Sequence, residues 1–160
     1  MPEQMPDVQI HPQLLADCHR LGRFAACHLL LHHNAALPWF ILVPVLTPDG
    51  VTNRPLLDLL DLDADLRGRI LGECALVSGY IKTELGLPRV NVAAIGNLVP
   101  QLHLHVVGRA PGDACWPAPV WGHLRPGPEY APQRLHDIQA ALASRYHLTP
   151  TGPTEPPLRS

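Results

Sequence analysis

The stretch Gln101-Leu102-His103-Leu104-His105-Val106-Val107-Gly108-Arg109 alternates polar and apolar side chains over its first six positions. In a β-strand successive side chains point to opposite faces, so Gln101, His103 and His105 share one face and Leu102, Leu104 and Val106 the other. A strand with one wholly apolar face belongs to a sheet whose one side rests on the core. The polar face then forms the floor of a pocket. Residues two apart on it stand about 6–7 Å from each other, the span of a phosphate group and its hydrogen-bonding neighbours.

Upstream, Val90–Ile95 reads as a second strand, joined to the first through the turn Gly96-Asn97-Leu98-Val99-Pro100. Two earlier apolar runs, Cys27–His33 and Trp39–Leu46, flank Asn34-Ala-Ala-Leu-Pro38 and read as another strand pair. The second run leads into Thr47-Pro-Asp-Gly50, a sequence suited to reversing the chain.

Between the hairpins, Leu66, Ile70, Cys74, Val77, Ile81 and Leu85 recur at helical spacing behind a candidate N-cap, Asp63, and ahead of Gly86. Gly68, Gly72 and Gly79 interrupt this helix and suggest close packing against a sheet. Pro55–Leu60 fits one or two helical turns. His11–Gly22 reads as a short helix, with Pro12 in its first turn, and Glu129–Tyr146 as a final one. Residues 110–128 form a Pro- and Trp-rich loop. The expected architecture is α+β: an antiparallel sheet with a long helix packed on it and helices at both ends. One domain spans 1–146, with an N-terminal arm over 1–10 and a disordered, Pro-rich tail over 147–160.

The chain has 160 residues, which suits a single domain. Twelve Lys and Arg against fourteen Asp and Glu provide no basic field of the kind nucleic-acid binding requires. The longest apolar run, broken by Pro38 and Pro44, is too short to cross a bilayer. Cys18, Cys27, Cys74 and Cys115 are scattered, with no C-x-x-C pair and no signal-like N-terminus, as expected of reduced thiols in a cytoplasmic protein.

Ten histidines make a metal site worth weighing. His103 and His105 could be two zinc ligands, with a third from His32, His33, His123 or Cys115. They could equally be ordinary residues on an amphipathic strand, or carry nucleophilic chemistry on phosphorus. His11, His19, His28, His136 and His147 have no partner pattern. Trp116 and Trp121 could cover a site or meet a second subunit, and Arg109 could reach a distal phosphate or lie on the surface.

With these residues in view, the sequence resembles the histidine triad (HIT) superfamily of nucleotide hydrolases and transferases. The family's signature of three alternating histidines and two apolar residues reads here Gln-Leu-His-Leu-His-Val-Val. Leu29–Val43 resembles the family's nucleoside-binding hairpin, Asn91 its Asn-bearing strand, and Gly96-Asn97 its Gly-Gln phosphate-binding turn. Trp116-Pro117 resembles the C-terminal segment of its nucleoside phosphoramidase branch. The resemblance spans roughly residues 24–122.

It implies that His103 attacks the α-phosphorus to form a nucleotidyl-histidine, and that His105 bonds the phosphate and assists proton delivery to the leaving group. It also implies that Asn97 donates to phosphate and that Asn34 contacts the ribose. No metal is built in, although a substrate can bring magnesium. The substrate would be a nucleoside phosphate, a phosphoramidate or a dinucleoside polyphosphate such as diadenosine tetraphosphate, and the assembly a homodimer. Gln101 replaces the first histidine and cannot change charge, so any acid–base role at that position is lost. Activity is still expected, with altered rate and leaving-group preference. The alternative is a nucleotide-binding module with little turnover.

Overall fold

The computed structural model describes residues 9–45 and 56–152. The run Cys27-His-Leu-Leu-Leu-His32 explains the sheet's order. It is β2 (Cys27–His32), buried along nearly its whole length, so the backbone N–H and C=O groups on its two edges need strands as partners. These neighbours are β1 (Cys18–Arg23) and β3 (Trp39–Pro44), both antiparallel to it. β4 (Arg89–Ala94) and β5 (Leu104–Arg109) form the second hairpin, and β5 joins β3. A two-residue strand, β6 (Thr149–Pro150), closes the far edge, giving the order β4-β5-β3-β2-β1-β6.

Two expectations about boundaries change here. Cys18–Arg23 is strand, and the first helix, α1, is only Pro12–Asp17. Pairing with the buried edge of β2 overrides the helix expected from Pro12 and Gly22. Residues assigned to the tail from 147 onward contribute β6, and a Cβ on Gly22 would run into the Thr149 carbonyl oxygen across that pairing. The turn at 47–50 lies outside the described residues, as does Pro55. Leu59–Asp61 form a single 3-10 turn.

The long helix α2 (Ala64–Thr83) starts where expected, with the Asp63 carboxylate accepting the Leu66 N–H at 2.9 Å. It ends ahead of Gly86, whose φ of +68° suits glycine. Leu66, Ile70, Cys74, Val77 and Ile81 are buried in one cluster with Leu29, Leu31, Phe40, Leu42, Leu104 and Val106 of the sheet. Ile138 and Leu142 of the last helix, α3 (Pro132–Arg145), join it. The glycines of α2 are not in that interface. Gly68 and Gly72 are exposed with nothing near an added Cβ, and Gly79 meets only the Tyr146 ring at ordinary contact distance.

On the opposite sheet face, Leu30, Ile41 and Val43 pack on Ile10, Leu14 and Val99. Farther along it, Val107 meets Leu37 and Val120. Between these two clusters the face stays open. Among the described residues no helix is long and apolar enough to cross a membrane.

Candidate active site

The open part of that face is a cavity of about 900 Å³. Its floor carries His103, His105, Trp39 and Ile41. α1 contributes Gln13, Leu14 and Asp17 to one wall, while His32-His33-Asn34, Ile95 with Asn97-Leu98-Val99, and the Val120–Glu129 segment supply the rest. No Lys or Arg lines it among the described residues.

Both motif histidines are buried, with 5% and 6% exposure. His103 lies just ahead of β5, and its Nδ1 sits 2.7 Å from the Gln101 backbone carbonyl oxygen. A carbonyl only accepts, so Nδ1 carries a hydrogen, which in a neutral imidazole leaves the lone pair on Nε2. His105 lies on β5 opposite Ile41 of β3. The Trp39 indole N–H donates to its Nδ1 at 2.9 Å. Burial, then the charges of His103 and His32, push the His105 pKa down to about 3. The two rings meet edge to face with centroids 4.9 Å apart.

Aromatic rings frame this pair. His32 stacks on Trp39 at 4.4 Å and 9°, and its Nδ1 accepts the Asn34 N–H. Trp121 stands edge-on to His105 and Trp39. His33 stacks on His19 at 4.3 Å, a partner its sequence position does not reveal.

Gln101 does not share the pocket floor with the histidines. It is buried away from the cavity, where Oε1 accepts the His11 N–H at 2.8 Å and Nε2 donates to the Gln9 carbonyl at 3.0 Å. The strand alternation expected from residue 101 begins only at Leu104, so the earlier residues are free to turn toward the N-terminal segment.

Asn97 sits exposed on the cavity rim. Asn34 lines the cavity with both ends of its amide engaged, accepting from the Ala36 N–H and donating to the Arg125 carbonyl. His123 is exposed, bonded to the Trp121 carbonyl, and absent from the lining.

Arg109 matches neither expectation for it. It is 1% exposed and makes a two-pronged ion pair with Asp113 at 2.7 and 3.0 Å. It also donates to Asn91 and to the Ala118 carbonyl, under the Trp116 ring. This knot holds the start of the loop whose later residues, Val120 and Trp121, wall the cavity.

Gln13, Asp17 and Trp39 are site residues the sequence does not flag. The pairing of β3 with β5 and the seating of α1 bring them in, and both are long-range events.

Among the described residues no group of three or more His, Cys, Asp or Glu is gathered as metal ligands.

The HIT domain family model matches residues 13–112. Solved structures agree with it. A histidine triad protein from Marinobacter aquaeolei VT8 is 36% identical with a TM-score of 0.74, covering 85% of this chain and 93% of that one. One from Bradyrhizobium japonicum is 32% identical with a TM-score of 0.75, over 86% and 97%. One from Sinorhizobium meliloti 1021 is 27% identical with a TM-score of 0.77, over 88% and 98%. No curated protein sequence matches this chain.

Proposed function

Because this chain belongs to the histidine triad family of nucleotide-binding hydrolases and transferases, we propose that it cleaves nucleoside phosphoramidates or phosphoanhydrides through a covalent nucleotidyl-histidine at His103. The observation that carries this reading is the His103 Nδ1–Gln101 carbonyl bond. It leaves Nε2 as the ring atom free to attack. In the first step the Nε2 lone pair forms a bond to the α-phosphorus, and the P–O or P–N bond to the leaving group breaks with its electron pair. In the second, water attacks phosphorus, the P–Nε2 bond breaks back onto the ring, and a proton goes to solvent. Another acceptor in place of water makes the reaction a transfer.

His105, neutral near pH 7, supplies a hydrogen bond to the phosphate, and Asn97 on the rim is a second donor. A ribose contact from Asn34 would have to compete with the two bonds its amide already makes. A polyphosphate substrate brings its own magnesium, and no resident metal enters the steps. The same reading carries a homodimer, which sedimentation of the purified protein tests, and a cytoplasmic location, which cell fractionation tests.

Incubating wild type and His103→Ala with diadenosine tetraphosphate and an adenosine phosphoramidate, with and without chelator, tests the proposal. Turnover that persists in chelator with the phosphoramidate and falls by about five to six orders of magnitude in His103→Ala is expected. Full activity in that variant ends the nucleophile assignment. Loss of phosphoramidate turnover on chelation ends the metal-free route, and binding without turnover in wild type identifies a module instead of an enzyme.

A further inference from the structure

An indole N–H donates and cannot accept, so the His105 Nδ1 that lies 2.9 Å from Trp39 Nε1 has to present a lone pair. The ring's hydrogen is then on Nε2. His103 is held the other way round, with its hydrogen on Nδ1. In their neutral forms the two neighbouring rings are therefore held in opposite tautomers, one offering a lone pair to the cavity and the other an N–H.

We propose that Trp39 is a positioning residue that locks His105 as the neutral Nε2–H tautomer, so that His105 holds the substrate phosphate by a hydrogen bond and keeps its proton while the leaving group departs. This rests on His103 as nucleophile. Charging His105 would place an Nδ1–H head-on against the Trp39 N–H. Its other neighbours do not offset that cost: His103 and His32 oppose a positive charge, and the Trp121 ring edge covers it. Asp17, Glu129 and His33 lie elsewhere around the same cavity. Gln101 is turned to the N-terminal segment, so neither motif position beside His103 delivers a proton.

The chemistry this leaves is restrictive. The breaking bond's electron pair goes to the leaving group without a proton from the triad. A phosphate leaving group is stable as an anion, and the nitrogen of a phosphoramidate can take its proton from water before departure. A simple alkoxide has neither escape. The substrates are P–O–P and P–N compounds, and alkyl esters of nucleoside monophosphates are refused.

Nitrogen NMR of the full-length protein labelled with ¹⁵N-histidine reads the tautomers without turnover. The expected wild-type pattern at pH 7 is bare Nδ1 with protonated Nε2 for His105, and a proton on Nδ1 of His103. Trp39→Phe keeps a ring to stack on His32 and removes the N–H; the His105 titration midpoint should rise by about one unit, tenfold in its proton affinity. A proton on Nδ1 of wild-type His105, or an unmoved midpoint in a folded Trp39→Phe, overturns the proposal, and the wild-type spectrum decides even if the variant does not fold. In first-turnover rates, a series of P–O-linked adenosine 5′-phosphate esters and anhydrides with leaving groups of graded basicity should show a steep fall with basicity. A flat series means a proton is delivered and also overturns it. An inactive wild type with the expected spectrum supports the tautomer lock and refutes the nucleophile reading.

Discussion

Oε1 of Gln101 accepts the backbone N–H of His11 at 2.8 Å, joining residues ninety positions apart. The residue in the family's first histidine position thus fastens the segment that starts α1, and α1 is a wall of the cavity. Gln101→Ala should raise KM several-fold with little change in kcat, and lower stability by about 1–3 kcal/mol as two backbone groups lose their partner. Gln101→His should not raise kcat, because the imidazole would face the same backbone. Steady-state kinetics and urea unfolding check both. A gain in kcat with a new pH-dependent limb in Gln101→His would assign the position to proton transfer.

Arg109 is a fully buried cation. Its guanidinium is buried against an Asp113 side chain only 10% exposed. Arg109→Ala strands that carboxylate and should cost about 3–5 kcal/mol. Arg109→Lys should recover only part of it, since one ammonium cannot reproduce the fork. Thermal unfolding measures this, and equal stability of the lysine variant and wild type would refute the forked role.

Much of this is in the sequence and some is not. The histidine alternation, the β2–β3 hairpin and the α2 stripe are local patterns with distinct periods, so they read directly. β1 is hidden because Leu14, Cys18 and Leu21 fall at helical spacing, while the reason for a strand there is the buried backbone edge of β2, whose N–H and C=O groups need partners. His103 and His105 are legible as a pair. Their partners are not: the Trp39 contact spans 66 residues and exists only through β3–β5 register. The burial of Arg109 depends on the path of the loop after it, which no periodicity encodes.

Acid should destabilise the protein through its histidines. His105 has a folded pKa of about 3 against an ordinary 6.5, so between these values the unfolded chain binds more protons. Stability from this group is complete above about pH 6.5 and is lost as pH falls toward 3. His32 and His19, lowered chiefly by burial, act in the same direction. Glu73, raised by burial, acts oppositely above the usual carboxylate range. Urea midpoints at pH 7 and pH 5 should differ, and His105→Asn should narrow the gap. An unchanged gap would show that His105 is not the depressed group.

Gly68 and Gly72 occupy exposed positions inside α2 with open space where a Cβ would stand. Gly68→Ala and Gly72→Ala should each stabilise by about 0.4–1 kcal/mol, mainly by restricting the unfolded chain, and leave kinetics untouched. Paired unfolding and activity assays check this; destabilisation would reveal a contact on that face of the helix.

The most direct test of the central claim is to quench the protein under alkaline denaturing conditions during turnover of an adenosine phosphoramidate and map any adduct by mass spectrometry. One adenylyl group on the peptide carrying His103, absent from His103→Ala, is the predicted result. Turnover with no adduct, or an adduct on His105 or another residue, would contradict it.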